Sequence, residues 1–319
     1  MSNMRLILVT VLGVLCEISH SLYIASNDKQ YARYLVDFGY LSRNSLSCSS
    51  GHCNVDDSDF ANALRSFQNY AKTSATGTLD SSTKYLMSLS RCEGKDVLRG
   101  SRSKRYTTIG HWPKKHITYK ITKYSSTMSK QDVDSLIFLG FSVWSEPSGI
   151  TFTKRDSGRT DIEIRFGNLP AKPDNRIAFG NTKTKHKASV ITLNDDIPWT
   201  QDFTRGEPNL FQTVSHEIGH VIGLGHTDVT GAMMYPIYDL GIKIFSLHDD
   251  DIQGVRNNYK DLDVVSYPGR PIYRKNSNQF NKNFNNFRDH FTNTFKNTFG
   301  ETVDFDDINL PKDWFSGGF

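Results

Sequence analysis

Apolar residues recur at intervals of three or four in two stretches of the N-terminal third: Leu35, Phe38 and Leu41, then Phe60, Leu64, Phe67 and Tyr70. That spacing is one face of an amphipathic helix, and it predicts a small helical domain over about 31–86. Further along the period shortens. Residues 116–122 (His-Ile-Thr-Tyr-Lys-Ile-Thr) and 161–167 (Asp-Ile-Glu-Ile-Arg-Phe-Gly) alternate as strands do, and 189–194 is a third such run. Between the first two, Val133, Ile137, Phe141 and Trp144 return to helical spacing behind Ser129, a residue suited to N-capping. Another helix is predicted to begin near Asn209 or Phe211. The expectation is an α+β chain in which a helix packs on a twisted mixed sheet, preceded by a small helical domain.

Both ends carry patterns of their own. Arg5 precedes an apolar run over 6–16, and Ser19, His20 and Ser21 offer a cleavage point, which predicts a secretory signal over 1–21. The run is too short for a comfortable membrane span. In the last segment Phe280, Phe284, Phe287, Phe291, Phe295 and Phe299 fall on one helical stripe amid Asn, Lys and Arg. Such a stripe can dock on a membrane surface or another protein, or cover an apolar patch of the same chain; an asparagine-rich tail can also stay disordered.

Composition adds bounds. A chain of 319 residues, 37% hydrophobic, can hold one sizeable domain plus extras. Its net charge of +4 is small and spread out, and no nucleic-acid motif is present, so nucleic acid is excluded as a partner. Cysteine usage fits export, hence a secreted, extracellular location: Cys16 leaves with the signal, Cys48 and Cys53 are close enough to bridge within a loop, and Cys92 is left without a partner.

The chemistry concentrates in 216–226, His-Glu-Ile-Gly-His-Val-Ile-Gly-Leu-Gly-His. On a helix, residues i and i+4 share a face, so His216 and His220 can present two imidazoles to one zinc ion. Glu217 sits beside that ion, placed to take a proton from water. Gly223 can adopt positive φ, end the helix and return the chain so that His226 supplies a third ligand. Three protein ligands leave a fourth position open, the mark of a catalytic rather than a structural zinc site. Met234 follows within Ala-Met-Met-Tyr-Pro, which completes the metzincin signature of zinc endopeptidases.

Residues 226–238 resemble the matrix metalloproteinases. The resemblance implies a metzincin catalytic domain with a twisted mixed sheet, an active-site helix and a C-terminal helix. It implies further that Met234 floors the zinc ligands, that Pro236 to Tyr238 wall a specificity pocket, and that Gln212, four residues before His216, gives that pocket a polar base. Upstream, 67–80 resemble a passage of that family's propeptides, and 90–96 (Ser-Arg-Cys-Glu-Gly-Lys-Asp) resemble its inhibitory P-R-C-G-x-P-D segment. A thiolate is a strong zinc ligand, so Cys92 would silence the zymogen, with Arg91 and Asp96 paired to hold the loop. Ser90, Glu93 and Lys95 replace two prolines and a glycine, which predicts a less rigid loop and leakier latency. Arg102-Ser-Lys-Arg105 reads as an exposed site for a furin-like protease. Cutting there frees Tyr106, whose ammonium the resemblance pairs with Asp250 or Asp251.

The remaining metal inventory departs from the family. Its structural zinc is held by several histidines, whereas here Asn-Leu-Pro-Ala-Lys-Pro-Asp174 follows Gly167, the strand reads Ile177-Ala-Phe-Gly180, and only His186 is left. No family-type structural zinc is expected. Asp174, Asn194, Asp195 and Asp196 offer oxygens for one weak calcium site, or form a solvated turn.

The organisation expected is therefore signal peptide 1–21, propeptide 22–105, catalytic domain 106–263 and tail 264–319. A four-bladed haemopexin domain does not fit in the tail. The function expected is a secreted zinc endopeptidase of matrix or extracellular proteins, with extended peptides lying along a strand edge near 177–181; the alternative is a catalytically weak binding or regulatory protein on the same fold.

Overall fold

The computed structural model describes residues 21–24, 28–49, 52–97, 108–169, 176–181, 188–201, 207–238, 244 and 246–260. The predicted signal run, Arg105, Tyr106, Asp174, His186 and the Phe-striped tail lie outside them.

Helices α1 (Lys29–Asp37), α2 (Asp57–Tyr70) and α3 (Ser81–Ser88) carry the apolar spacing read from the sequence. Each of the last two starts where an aspartate can satisfy open backbone donors: Asp56 accepts from the N–H groups of Ser58 and Asp59, and Asp80 from that of Thr83. Leu35, Phe38, Leu64 and Phe67 are buried together, with the Tyr34 ring edge-on to Phe38 and Phe67 at 4.5 and 5.5 Å between centroids. Gln68 is wholly buried, and its amide donates to Thr76 Oγ1, Thr78 O and Thr83 Oγ1, fastening the turn before α3 onto α2. The module is not purely helical, as the spacing had implied. Strands β1 (Ser21–Ile24), β2 (Ser47–Ser49) and β3 (His52–Asp56) form an antiparallel sheet of order β1-β3-β2, and Cys48 and Cys53 are bridged across β2 and β3.

The rest of the described chain builds one larger sheet from β4 (Ser90–Cys92), β5 (His116–Lys123), β6 (Thr151–Lys154), β7 (Ile162–Gly167), β8 (Arg176–Asn181), β9 (Ser189–Asn194) and β10 (Ile237–Tyr238). Its order is β10-β4-β8-β9-β7-β5-β6. Strands β6, β5, β7 and β9 run parallel to one another, β8 is antiparallel to β9, and the sheet is therefore mixed. Alternation in β7 puts Ile162, Ile164 and Phe166 into the core and Arg165 toward solvent. Helix α4 (Lys130–Ser148) starts at Ser129, whose side chain accepts from Asp132 N, and stops at Gly149 in the left-handed region. Helix α5 (Leu210–Val221) packs along α4, and Trp144 Nε1 donates to Ser215 O across that seam at 2.8 Å. Helix α6 (Asp249–Tyr259) closes the described domain. Ile164, Leu193, Phe141, Trp144, Val214 and Ile218 share one core, where full burial of each aliphatic or Phe side chain is worth about 1.5–3 kcal/mol.

One expectation is altered by this topology. Strand β8 was read as an edge open to substrate, but β4 lies on it in parallel, and β10 pairs with β4 beyond. The N-terminal segment occupies the row of hydrogen bonds that an extended peptide would need.

A candidate metal centre

Helix α5 owes its start to Asn209, whose side chain accepts from Gln212 N, and it carries His216, Glu217 and His220 on buried faces. At Gly223 the backbone has φ +104°, and a Cβ there would sit 1.8 Å from the carbonyl oxygen of Gly110. Only glycine fits that turn, which sends the chain back toward the helix. His226 consequently faces His220, with Nε2 atoms 3.1 Å apart. Met234 lies below: its sulfur packs so closely on Gly219 of α5 that a Cβ at 219 would come within 2.2 Å of it.

The Nδ1 atom of every histidine in the cluster is committed. His216 donates to Met233 O at 2.7 Å, His220 to Leu224 O at 2.8 Å, and His226 to Asp96 Oδ1 at 2.8 Å. With Nδ1 protonated, each neutral ring turns its Nε2 lone pair inward, the tautomer that ligation requires. The Cys92 sulfur stands 3.3 Å from His220 Nε2, and the ligand atoms of Cys92, His216, His220 and His226 all lie within 4.8 Å of one another. His216 Nε2 has no protein partner, and neither carboxylate oxygen of Glu217 has one. One sulfur and three imidazole nitrogens in this compass fit zinc in number and kind.

Burial shapes the electrostatics. It pushes His216 well below the usual imidazole range, helped by the neighbouring His220 and His226, and brings His220 down to about 3. It raises the Cys92 thiol, with Glu217 adding to the effect, and lifts Glu217 up to about 8. A divalent cation held here would reverse the shifts of the thiol and the carboxylate, favouring the thiolate that ligates zinc and an ionised Glu217.

Around this cluster the N-terminal module closes. Cys92 N donates to Pro236 O at 3.1 Å, Ser90 is opposite Tyr238 in the β4–β10 pair, and the Tyr238 ring lies 5.7 Å from that of His216. The residues read as pocket walls therefore contact the segment that bears the thiol. Arg91 and Asp96 form a fully buried ion pair at 2.6 Å; Arg91 also donates to Tyr34 Oη, and its guanidinium lies over Phe38 at 3.3 Å. Tyr40 Oη donates to Asp96 Oδ2 at 2.6 Å. Of the replaced residues in this loop, Glu93 is held through both side chain and backbone. Glu93 pairs with Arg176 of β8, its N–H donates to Ala178 O at 3.3 Å, and Gly94 N donates to the Cys92 sulfur at 3.5 Å. Ionic contact extends to Asp228, which Lys72 meets at 2.5 Å.

The other sequence candidates are placed as follows. Gln212 is buried in the first turn of α5. Asp251 accepts from Met233 N, Met234 N and His248 N, so it fastens the methionine turn to α6; Asp250 is buried beside it. Asp195 accepts from Ser126 N and pairs with Lys123 at 3.3 Å, while Asn194 Oδ1 accepts from Asp196 N. Arg176 had drawn no role from the sequence, because a single charge carries no periodic signal, and Asp251 had been read as a support for the Tyr106 ammonium rather than for the methionine turn.

Two imidazoles from one helical turn, a third returned by glycine and a methionine turn below define a metallopeptidase-type centre of the metzincin kind. The comparisons narrow it. Residues 111–260 match the family model described as Matrixin. The chain is 29% identical over 231 residues to matrix metalloproteinase-19 of Homo sapiens, covering 71% of this chain and 44% of that protein. It is 33% identical over 213 residues to stromelysin-1 of Mus musculus (64% and 44%), and 32% identical over 242 residues to the hatching enzyme of Paracentrotus lividus (73% and 39%). The match spans less than half the length of these relatives. Through its matrixin domain the chain belongs to the matrixin family.

Proposed function

We propose that the chain is a zinc endopeptidase made as a zymogen and secreted, acting on extended segments of extracellular proteins. The observation that carries this is the convergence of the Cys92 sulfur and three histidine nitrogens beside Glu217. His216, His220 and His226 would hold the metal. When bound, zinc supplies the Lewis acidity that polarises a peptide carbonyl and acidifies water. Glu217, buried beside the histidine cluster, takes the proton from water and delivers it to the departing amine. Gln212, Pro236 and Tyr238 shape the cleft.

Latency follows from the same geometry. With zinc bound, Cys92 would serve as its fourth ligand while β4 occupies the β8 edge, so that water and substrate would both be kept out. Cleavage after Arg105 by a furin-like protease would release the block. The freed Tyr106 would then pair with Asp250 or Asp251, and of the two Asp251 is already committed to the methionine turn. One zinc is the metal expected; a calcium at Asn194 to Asp196 would compete with Lys123 for Asp195. Among the described residues no helix is long and apolar enough to cross a membrane. Surface or protein docking by the Phe-striped tail remains part of this reading.

The test is hydrolysis of a quenched-fluorescence peptide by the processed chain, with and without chelator, alongside Glu217→Ala. Chelation and Glu217→Ala should each abolish turnover while Glu217→Ala still binds zinc; chelator-insensitive turnover or full activity of that variant would sink the mechanism. Cys92→Ala should activate the uncut chain.

A further inference from the structure

Arg176 opens β8 directly beside the metal centre, with its Cα opposite that of Arg91 in the register that sets Cys92 opposite Ala178. Its side chain is only 11% exposed. One guanidinium nitrogen donates to Glu93, another to Asp37 Oδ2 at 3.2 Å, the group lies 5.7 Å from the Phe38 ring, and Nε is buried without a partner. Both carboxylates and the ring lie N-terminal to Arg105, so removal of that segment strips Arg176 of each of them. Glu93 also follows directly on the thiol-bearing residue, and its backbone uses the β8 edge as a bound peptide would.

We propose that Arg176 is a specificity-determining residue, selecting substrates that carry a carboxylate side chain within three residues of the scissile bond, in the place Glu93 fills in the latent chain. The proposal rests on the protease reading above. With both of its carboxylates gone, the guanidinium is left without an ionic partner; a substrate carboxylate can accept from two of its nitrogens at once, which a neutral side chain cannot match. The pair stays partly open to solvent, which limits its effect to roughly three- to tenfold and makes it sensitive to salt.

The experiment uses the zinc-loaded full chain cut in the 98–107 linker, with peptides bearing Glu, Gln or Lys in turn at the three positions on each side of the scissile bond. At one position the Glu peptide should show kcat/KM about three- to tenfold above the Gln peptide, with the gap shrinking between about 50 and 500 mM salt. Arg176→Gln should erase that gap while leaving the Gln-peptide rate within about twofold, and Arg176→Glu should move the preference to Lys. Equal rates for Glu and Gln at every position, or a preference that survives in Arg176→Gln, overturns the proposal and leaves the protease reading intact. If the variants do not fold, the wild-type salt dependence decides: a Glu preference that is absent or indifferent to salt overturns it. A zinc-loaded wild type that cuts none of the peptides sinks the protease reading itself.

Discussion

Asp96 and His226 are joined by a hydrogen bond of 2.8 Å from the imidazole Nδ1 to the carboxylate, although 130 residues separate them in the chain. The same carboxylate takes a donor from Arg91 and another from Tyr40, so it ties the Cys92 loop, the N-terminal helices and a ring of the candidate metal centre together. Replacing one partner of a buried ion pair leaves the other charge uncompensated, at a cost of about 3–5 kcal/mol. Asp96→Asn keeps the shape and removes the charge. The uncut variant should therefore gain at least about tenfold in peptidase activity, and its Cys92 should become reactive to a thiol reagent, while the cut enzyme is unchanged. An unreactive thiol together with unchanged basal activity would refute the role given to Asp96.

The turn at Gly223 admits no side chain, since φ is +104° and the Gly110 carbonyl stands where Cβ would go. Gly223→Ala must either shift that backbone or unseat the loop carrying His226. A loss of about 1–3 kcal/mol in stability is expected for strain of this kind. Zinc content after dialysis should fall with it. A variant that retains wild-type Tm and full zinc would show that the loop relaxes freely.

How far the sequence reaches depends on whether a feature is local. The clustering of the three histidines was legible because i, i+4 spacing and a helix-ending glycine are statements about one segment. The α5 start at Asn209 and the alternation of Ile162, Ile164 and Phe166 were legible for the same reason. The Glu93–Arg176 pair was not, since its members are 83 residues apart and a lone charge resembles any solvated one. Reading Glu93 only as a lost glycine suggested a slack loop, whereas the structure gives it an ionic partner. Strands β1 to β3 were missed because runs of three to five residues with few apolar side chains carry no usable period.

The Cys48–Cys53 bridge closes a loop of sequence separation 5 within the N-terminal sheet, far from the histidine cluster in sequence. A loop this short restricts the unfolded chain by about 2 kcal/mol in the chain-entropy account. Replacing both cysteines by serine should thus loosen the N-terminal module, seen as faster proteolysis of 28–97 in the uncut chain. The cut enzyme should keep its kcat/KM. If the double variant slowed the cut enzyme instead, the bridge would act beyond the N-terminal module.

Asp161 offers a pH test away from the metal centre. Its carboxylate accepts from Thr118 N at 2.8 Å and Thr118 Oγ1 at 2.9 Å, and pairs with Lys114 at 2.7 Å, where it joins the starts of β5 and β7. Burial works to raise its pKa, but the Lys114 ion pair and the two Thr118 donors outweigh that and hold it below the ordinary 3.8. A carboxylate whose folded pKa is depressed stabilises the fold above its unfolded pKa, and that contribution is lost as pH falls through the folded value. Asp161→Asn should cost about 1–2 kcal/mol near pH 7, the range for one charged hydrogen-bonding group in a partly exposed setting. The gap between wild type and variant should hold down to about pH 4 and close below it. Urea titrations of both chains at successive pH values measure that gap directly, and because other acid-sensitive groups are common to the two proteins, their contributions cancel in the difference. A gap that widened toward low pH would mean that the buried carboxylate, not its ionised pair with Lys114, is the stable form.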